Sequence, residues 1–188
     1  MIVDVHTHPP LYKDPLTGAP DQYNHVWRPD RPVKVTTCWD DYLEAQEPAE
    51  KSIVFSIATN PGGEQPRLPG LDVPEQEPWY RGNLNDGIAA FVAAHPERLI
   101  GFMTLHPYDP GALEELERCH GDLGLAGVKQ GANYQNFDPF DPRALAIYAE
   151  AERRGLPLML HQGTSPIRDA PIRYAHPLLI DELATRYP

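Results

Sequence analysis

The stretch Met1-Ile2-Val3-Asp4-Val5-His6-Thr7-His8 decides the fold, because it closes an apolar strand with two histidines two residues apart. Side chains of an extended segment alternate sides, so Asp4, His6 and His8 share one of them. Met1 to Val5 reads as a buried strand. A matching strand end stands far along the chain in Leu158-Met159-Leu160-His161. There the same parity pairs Met159 with His161 and puts His161 at the carboxyl end of a strand running from Leu156.

Between these two strands the chain alternates regularly. A helix from about Trp39 to Gln46 precedes a β-branched, apolar run from Ser52 to Ala58. Asn83 or Asn85 caps a helix whose Ile88, Phe91 and Val92 share a face, and His95-Pro96 closes it before a strand from Leu99 to Leu105. Leu113 and Leu116 belong to the next helix. Gly121 and Gly124 break the chain ahead of the strand Leu125 to Lys129. Asp141 as N-cap and Pro142 at the first helical position open a helix to Arg154. His176-Pro177 opens a last one, Leu178 to Tyr187.

Five β-α units without a hairpin signal imply parallel strands joined by right-handed crossovers. Helix-to-strand connections are short, whereas the strand-to-helix connections Pro9 to Thr37, Asn60 to Gly82 and Gln130 to Pro139 are long. That asymmetry is expected of a barrel with its site at the carboxyl ends of the strands. The long loops carry Tyr12, Tyr23, Trp27, Trp79 and Tyr80, which suit the walls of a small-molecule pocket. At about 38 residues per unit, eight units need about 300 residues. The fold class expected is therefore α/β, an incomplete (β/α)8 TIM barrel. Residues 1–188 are expected to form one partial barrel domain holding strands 1 to 5 of an expected eight, the N-terminal part of a longer barrel.

The charge balance, 16 basic against 27 acidic side chains and a formal net charge of −11, argues against a nucleic-acid partner. No run approaches the ~20 apolar residues that span a bilayer, and the N-terminus lacks a basic region followed by an apolar one. A soluble, cytoplasmic protein without a membrane partner is expected. The 22 prolines and 14 glycines are many, yet a hydrophobic fraction of 41% is enough to bury a core. Cys38 and Cys119 have neither metal-ligand spacing nor the density of a disulfide scaffold, and read as reduced thiols.

Imidazole suits Zn²⁺ and other borderline divalent ions, and two ligands on one rigid strand lose little entropy in converging on one. His6, His8 and His161 are the candidate metal ligands, with one divalent metal expected: Zn²⁺ first, Mn²⁺ or Fe²⁺ as alternatives. Three histidines leave coordination positions open, as a catalytic site requires. Asp4 stands one layer deeper as an acceptor for a ligand histidine. Lys129 and His106 are the candidate substrate contacts, against a solvent-exposed lysine and a turn role set by Pro107. Glu114, Glu115, Glu117 and Arg118, like Glu150, Glu152, Arg153 and Arg154, read as solvated helix faces.

His6-Thr7-His8, Gly124-Leu125-Ala126-Gly127-Val128-Lys129 and Leu158-Met159-Leu160-His161 together resemble the amidohydrolase superfamily, in its amidohydrolase-related (amidohydrolase family 2) branch. The resemblance covers nearly the whole chain outside the long loops. It implies a (β/α)8 barrel and a metal-dependent hydrolase of a small organic substrate working through metal-activated water. The alternative it implies is a non-oxidative decarboxylase of small, often aromatic, carboxylates. By position, His6 and His8 correspond to the strand-one ligands and His161 to the strand-five ligand. Such families add a histidine after strand six and an aspartate after strand eight. Neither position falls within these 188 residues, so weak metal binding and slow turnover are expected of them.

Asp-x-His-x-His also begins a type of phosphoesterase and a type of metal-dependent deoxyribonuclease. The run Pro9-Pro10-Leu11-Tyr12 departs from the first, and the net charge disfavours the second. A further alternative is a non-catalytic assembly module whose open strand edges pair with another chain, and a homo-oligomer is compatible with the sequence.

Overall fold

The computed structural model of the chain describes residues 1–9, 39–56, 83–165 and 170–188. The loop aromatics Tyr12, Tyr23, Trp27, Trp79 and Tyr80, and with them Cys38, lie outside the described residues. So does the expected carboxyl end of the second strand at Ala58.

Six strands and five helices alternate along the described residues: β1 (Val3–Thr7), α1 (Trp39–Ala45), β2 (Lys51–Val54), α2 (Leu84–Ala94), β3 (Leu99–Gly101), β4 (Met103–Thr104), α3 (Ala112–Gly121), β5 (Val128–Gln130), α4 (Pro142–Arg153), β6 (Leu158–Leu160) and α5 (Pro177–Arg186). All pairings are parallel, in two three-stranded sheets ordered β1-β2-β3 and β4-β5-β6. This is the expected α/β arrangement of an incomplete barrel. Among the described residues β1 and β6 each pair on one side only, so Val5 remains 54% exposed.

The helix caps follow from local chemistry. The Asn83 side chain accepts from Asn85 N, that of Asp141 accepts from Arg143 N with Pro142 next in line, and the ring of His176 accepts from Leu178 N ahead of α5. Each satisfies an amide that the first helical turn leaves unpaired.

Three departures of the strands from expectation have a visible cause. The first runs from Val3 to Thr7, two residues later than Met1 to Val5, because Ile2 O is taken by the amides of Glu50 and Lys51. Its register with β2 shifts between Asp4 and Thr7, and such an irregularity re-aims the side chains it contains, here Val5 and His6. The third strand, expected to be continuous, divides at Phe102. Phe102 N donates to Val54 O at 3.0 Å, while Met103 N donates to Gly127 O at 2.8 Å, so the segment hands its hydrogen bonds from one sheet to the next. Gly127 permits this crossing: a Cβ there would stand 2.5 Å from the Phe102 ring. The fourth expected strand, Leu125 to Lys129, begins at Val128 as β5, since Ala126 N is spent on Gly101 O.

The helices cover one side of the sheets. Ile88 and Phe91 of α2, Leu116 and Cys119 of α3, and Ile147, Tyr148 and Ala151 of α4 pack with Val54, Met103 and Val128 into one core. Burying a side chain such as Leu116 contributes roughly 1.5–3 kcal/mol relative to its exposure. Trp39, Tyr42 and Phe91 add an aromatic cluster under α1.

Polar groups between the helices are tightly matched. Glu115, expected on a solvated face, instead accepts from Asn83 Nδ2 at 2.7 Å, Asn85 Nδ2 at 2.8 Å and Arg118 Nε at 2.7 Å. Arg118 reaches on to Asp86 at 2.7 Å, which ties the start of α2 to α3. Burial alone would raise the Glu115 pKa, but these donors outweigh it and bring it down to about 2. Arg154 is likewise held against Glu150 and is only 16% exposed. The buried Cys119 is a free thiol, as expected.

Candidate metal and substrate site

The carboxyl ends of β1, β2, β5 and β6 bring together His6, His8, Phe55, Lys129, Tyr134 and His161. The rings of His6 and His8 stand edge to face with centroids 5.2 Å apart. Phe55, the residue after β2, packs edge-on against both, at 5.1 Å and 4.8 Å. Its ring also lies 5.3 Å from Lys129 Nζ. From the other side the Tyr134 ring approaches His161 at 5.1 Å. Three of the four candidate groups at the strand tips are histidines, each placed by a strand end rather than by a free loop.

Main-chain carbonyls fix the protonation of two of these rings. His8 Nδ1 lies 3.3 Å from Phe55 O, and a carbonyl only accepts, so Nδ1 carries the proton and Nε2 keeps its lone pair. His161 Nε2 faces Thr164 O at 3.2 Å, which leaves the lone pair on Nδ1. His161 N donates to Gln130 O at 2.9 Å and so extends the β5–β6 ladder to the histidine itself. Asp4 accepts from the main-chain amide of His6 at 3.1 Å, bracing the strand rather than the imidazole.

The electrostatics favour neutral rings. Burial lowers the His6 pKa, and the positive charges of Lys129 and His161 lower it further. His8 falls to about 4, through burial of its inner side first and then through His6 and Lys129. His161 falls for the same two reasons, burial and then Lys129, against a rise from its bond to Thr164 O. Near neutral pH all three therefore offer lone pairs, the form that binds a metal. The donor set fits a borderline divalent ion in chemistry and charge. Among the described residues, no three His, Cys, Asp or Glu side chains are gathered closely enough to hold a metal ion together.

Lys129 is buried, 1% exposed, contrary to the solvent-exposed alternative. Its ammonium donates to Gln130 O at 3.2 Å and to Tyr134 Oη at 3.3 Å. Burial lowers its pKa to about 8. His106 stands apart from this group. Its Nε2 meets Gln135 O at 2.8 Å and its Nδ1 accepts from Tyr108 N at 3.1 Å, so both ring nitrogens are engaged by main chain. These contacts are those of the turn role that Pro107 suggested.

Sequence reasoning passed over Phe55 and Tyr134. Phe55 carried little signal, since the apolar run was expected to continue to Ala58 and only the structure ends the strand at Val54, just before it. Tyr134 carried none, because its position depends on a contact with Gly131. A Cβ at Gly131 would stand 1.8 Å from Cζ and 2.2 Å from Oη of Tyr134.

A 2-amino-3-carboxymuconate-6-semialdehyde decarboxylase from Dictyostelium discoideum is 27% identical to this chain over 147 residues, covering 77% of this chain and 40% of that protein. A gamma-resorcylate decarboxylase from Rhodococcus jostii (strain RHA1) is 35% identical over 108 residues, covering 51% of this chain and 32% of that one. The chain thus spans less than half the length of the curated relatives it matches. Among solved structures, an uncharacterized TIM-barrel protein from Bordetella bronchiseptica superposes with a TM-score of 0.66 at 19% identity, covering 100% of this chain and 63% of its own. A 5-carboxyvanillate decarboxylase mutant from Novosphingobium aromaticivorans, with bound manganese, gives 0.51 at 18% identity, covering 97% and 55%. These two likenesses show the TIM-barrel fold. A family model described as Amidohydrolase matches residues 3–188, and the chain belongs to that family.

Proposed function

We propose that the chain contributes the metal-binding and carboxylate-facing part of a metal-dependent decarboxylase acting on a small, unsaturated or aromatic carboxylate. The observation that carries this reading is that His6, His8 and His161 stand at the same strand tips as the buried Lys129, in a chain whose curated relatives are named decarboxylases. Those relatives turn the balance from the hydrolase expected first to the decarboxylase that stood as its alternative.

His6 and His8 would hold the metal from β1, and His161 from β6, through the lone pairs left at His8 Nε2 and His161 Nδ1. A divalent ion held there would supply Lewis acidity toward a substrate carboxylate or a neighbouring hydroxyl. Zn²⁺ is the ion proposed, with Mn²⁺ supported by the manganese-bound structural relative. Phe55 gives the two imidazoles a dry, rigid backing that fixes their mutual angle. Lys129 sets a positive potential at the same end of the sheet, which favours an anionic substrate. His106, its nitrogens committed to main chain, braces the β4 and β5 loops rather than reaching the substrate. A soluble cytoplasmic enzyme taking a small-molecule substrate completes the reading. Among the described residues no helix is long and apolar enough to cross a membrane.

The test is carbon dioxide release from 2,6-dihydroxybenzoate with Zn²⁺ or Mn²⁺ added, alongside elemental analysis of the purified protein. Slow, metal-dependent release and bound metal, both lost in His6→Ala/His8→Ala, are expected. Hydrolysis of amide or ester substrates without decarboxylation would restore the hydrolase reading.

A further inference from the structure

Lys129 and Tyr134 form a relay of charge that ends on a phenol. The ammonium is buried and has no lone pair, so in their 3.3 Å contact it donates and Tyr134 Oη accepts. The phenolic proton is then left without an acceptor among the described residues. Tyr134 itself is only half-buried, between Asn133 and Gln135, which are fully buried. Its ring stands tilted by 60° against that of His161, one of the candidate ligands, with centroids 5.1 Å apart.

The turn that carries Tyr134 is built rigidly. Gln135 N donates to Gly131 O at 2.8 Å, Phe137 N donates to Ala132 O at 3.0 Å, and Gly131 N donates to Gln135 Oε1 at 2.7 Å. Gly131 lends the ring the space that any side chain would occupy. The turn thus fixes the phenol against the lysine without help from a ligand, which is the condition for preorganised recognition.

We propose that Tyr134 is the residue that meets a substrate carboxylate, its O–H donating to one carboxylate oxygen, while the buried Lys129 polarises that O–H from behind and touches no substrate. Tyr134 is then a specificity-determining residue and Lys129 a positioning residue. A phenol whose oxygen already accepts from a cation is a stronger donor than a free one, and an anionic acceptor gains most from it. The inference deepens the decarboxylase reading by assigning the group that recognises the carboxylate, and it rests on that reading for the choice of ligand.

Benzoate and its uncharged counterpart benzamide, titrated into the chelator-treated protein and followed by saturation-transfer NMR, separate this contact from any metal. Wild type is expected to prefer benzoate. Tyr134→Phe should weaken benzoate about tenfold, the scale of one charge-assisted hydrogen bond, and leave benzamide within about twofold. Lys129→Met should weaken benzoate to a similar extent, and the double variant no further than either single one, because the two residues act through one contact. Gly131→Ala, which displaces the ring, should reproduce Tyr134→Phe.

Unchanged benzoate affinity in Tyr134→Phe beside a large loss in Lys129→Met would overturn the assignment in favour of direct contact by the lysine. Equal affinities for benzoate and benzamide in wild type would overturn it outright. Neither result touches the decarboxylase reading, which stands or falls on metal-dependent carbon dioxide release.

Discussion

The helix side of this half-barrel and its strand-tip rim treat polar groups in opposite ways. Between α2 and α3 every strong donor is matched: Glu115 collects Asn83, Asn85 and Arg118, and Arg118 passes on to Asp86. At the rim, main-chain contacts claim one nitrogen each of His8 and His161 and leave the other with its lone pair. A satisfied network fixes a fold, whereas unspent lone pairs and an unspent phenolic proton are capacity for a ligand. The difference teaches that stability and chemistry are written here in separate layers of one sheet, and substitutions in the two should have separable effects.

Leu116→Ala is the severest test, since it removes a fully buried side chain from the middle of the core. It should cost about 3–4 kcal/mol in urea unfolding, while metal affinity of the folded protein stays within about twofold. Loss of metal binding under conditions where the variant is still folded would break the separation.

Glu115→Gln should cost about 2 kcal/mol near pH 6, the scale of hydrogen bonds to a charged group. The Glu115 pKa lies below its ordinary 4.5 in the folded protein, so its contribution is fully present above pH 4.5 and fades as pH falls toward 2. The gap between wild type and variant in unfolding free energy should close over that window. A gap independent of pH would mean that packing, not charge, holds α2 against α3.

Phe55→Leu should have the smallest effect on stability, about 1 kcal/mol, because volume is largely kept. Its mark should fall on the rim instead: about tenfold weaker metal binding by isothermal titration, as His6 and His8 lose the ring that sets their angle. Stability falling without change in metal affinity would move Phe55 to the structural layer.

What the sequence made legible is what local chemistry decides. Asn83, Asp141 and His176 stand at helix starts because an exposed amide needs their side chains, and each was readable three or four residues at a time. His6, His8 and His161 were readable because strand parity and a strand's end place them. The less legible features depend on residues far apart. Phe102 divides the third strand because Gly127, 25 positions on, lets its ring cross. Glu115 looks like one more charge on a solvated helix until Asn83 and Asn85 arrive from the helix before it. Tyr134 reaches Lys129 only through the gap at Gly131, and nothing in the two letters announces that gap. Thr7 is another such case: Tyr42 Oη at 2.6 Å and Ile53 O at 2.7 Å bury its hydroxyl between two histidines that face the other way.

The handover at Phe102 has a bearing on how the chain is assembled. Because that segment ends one sheet and starts the next, strands lie side by side in the order in which they are translated. Apart from β4, which awaits β5, each described strand after the first finds a neighbour already made, separated by a single crossover, and none pairs with a strand made later than its successor. A growing chain can therefore add the sheet one β-α unit at a time, in the direction of synthesis. His6 and His8 emerge first and His161 last, so the rim is completed only when the final strand of this series has docked.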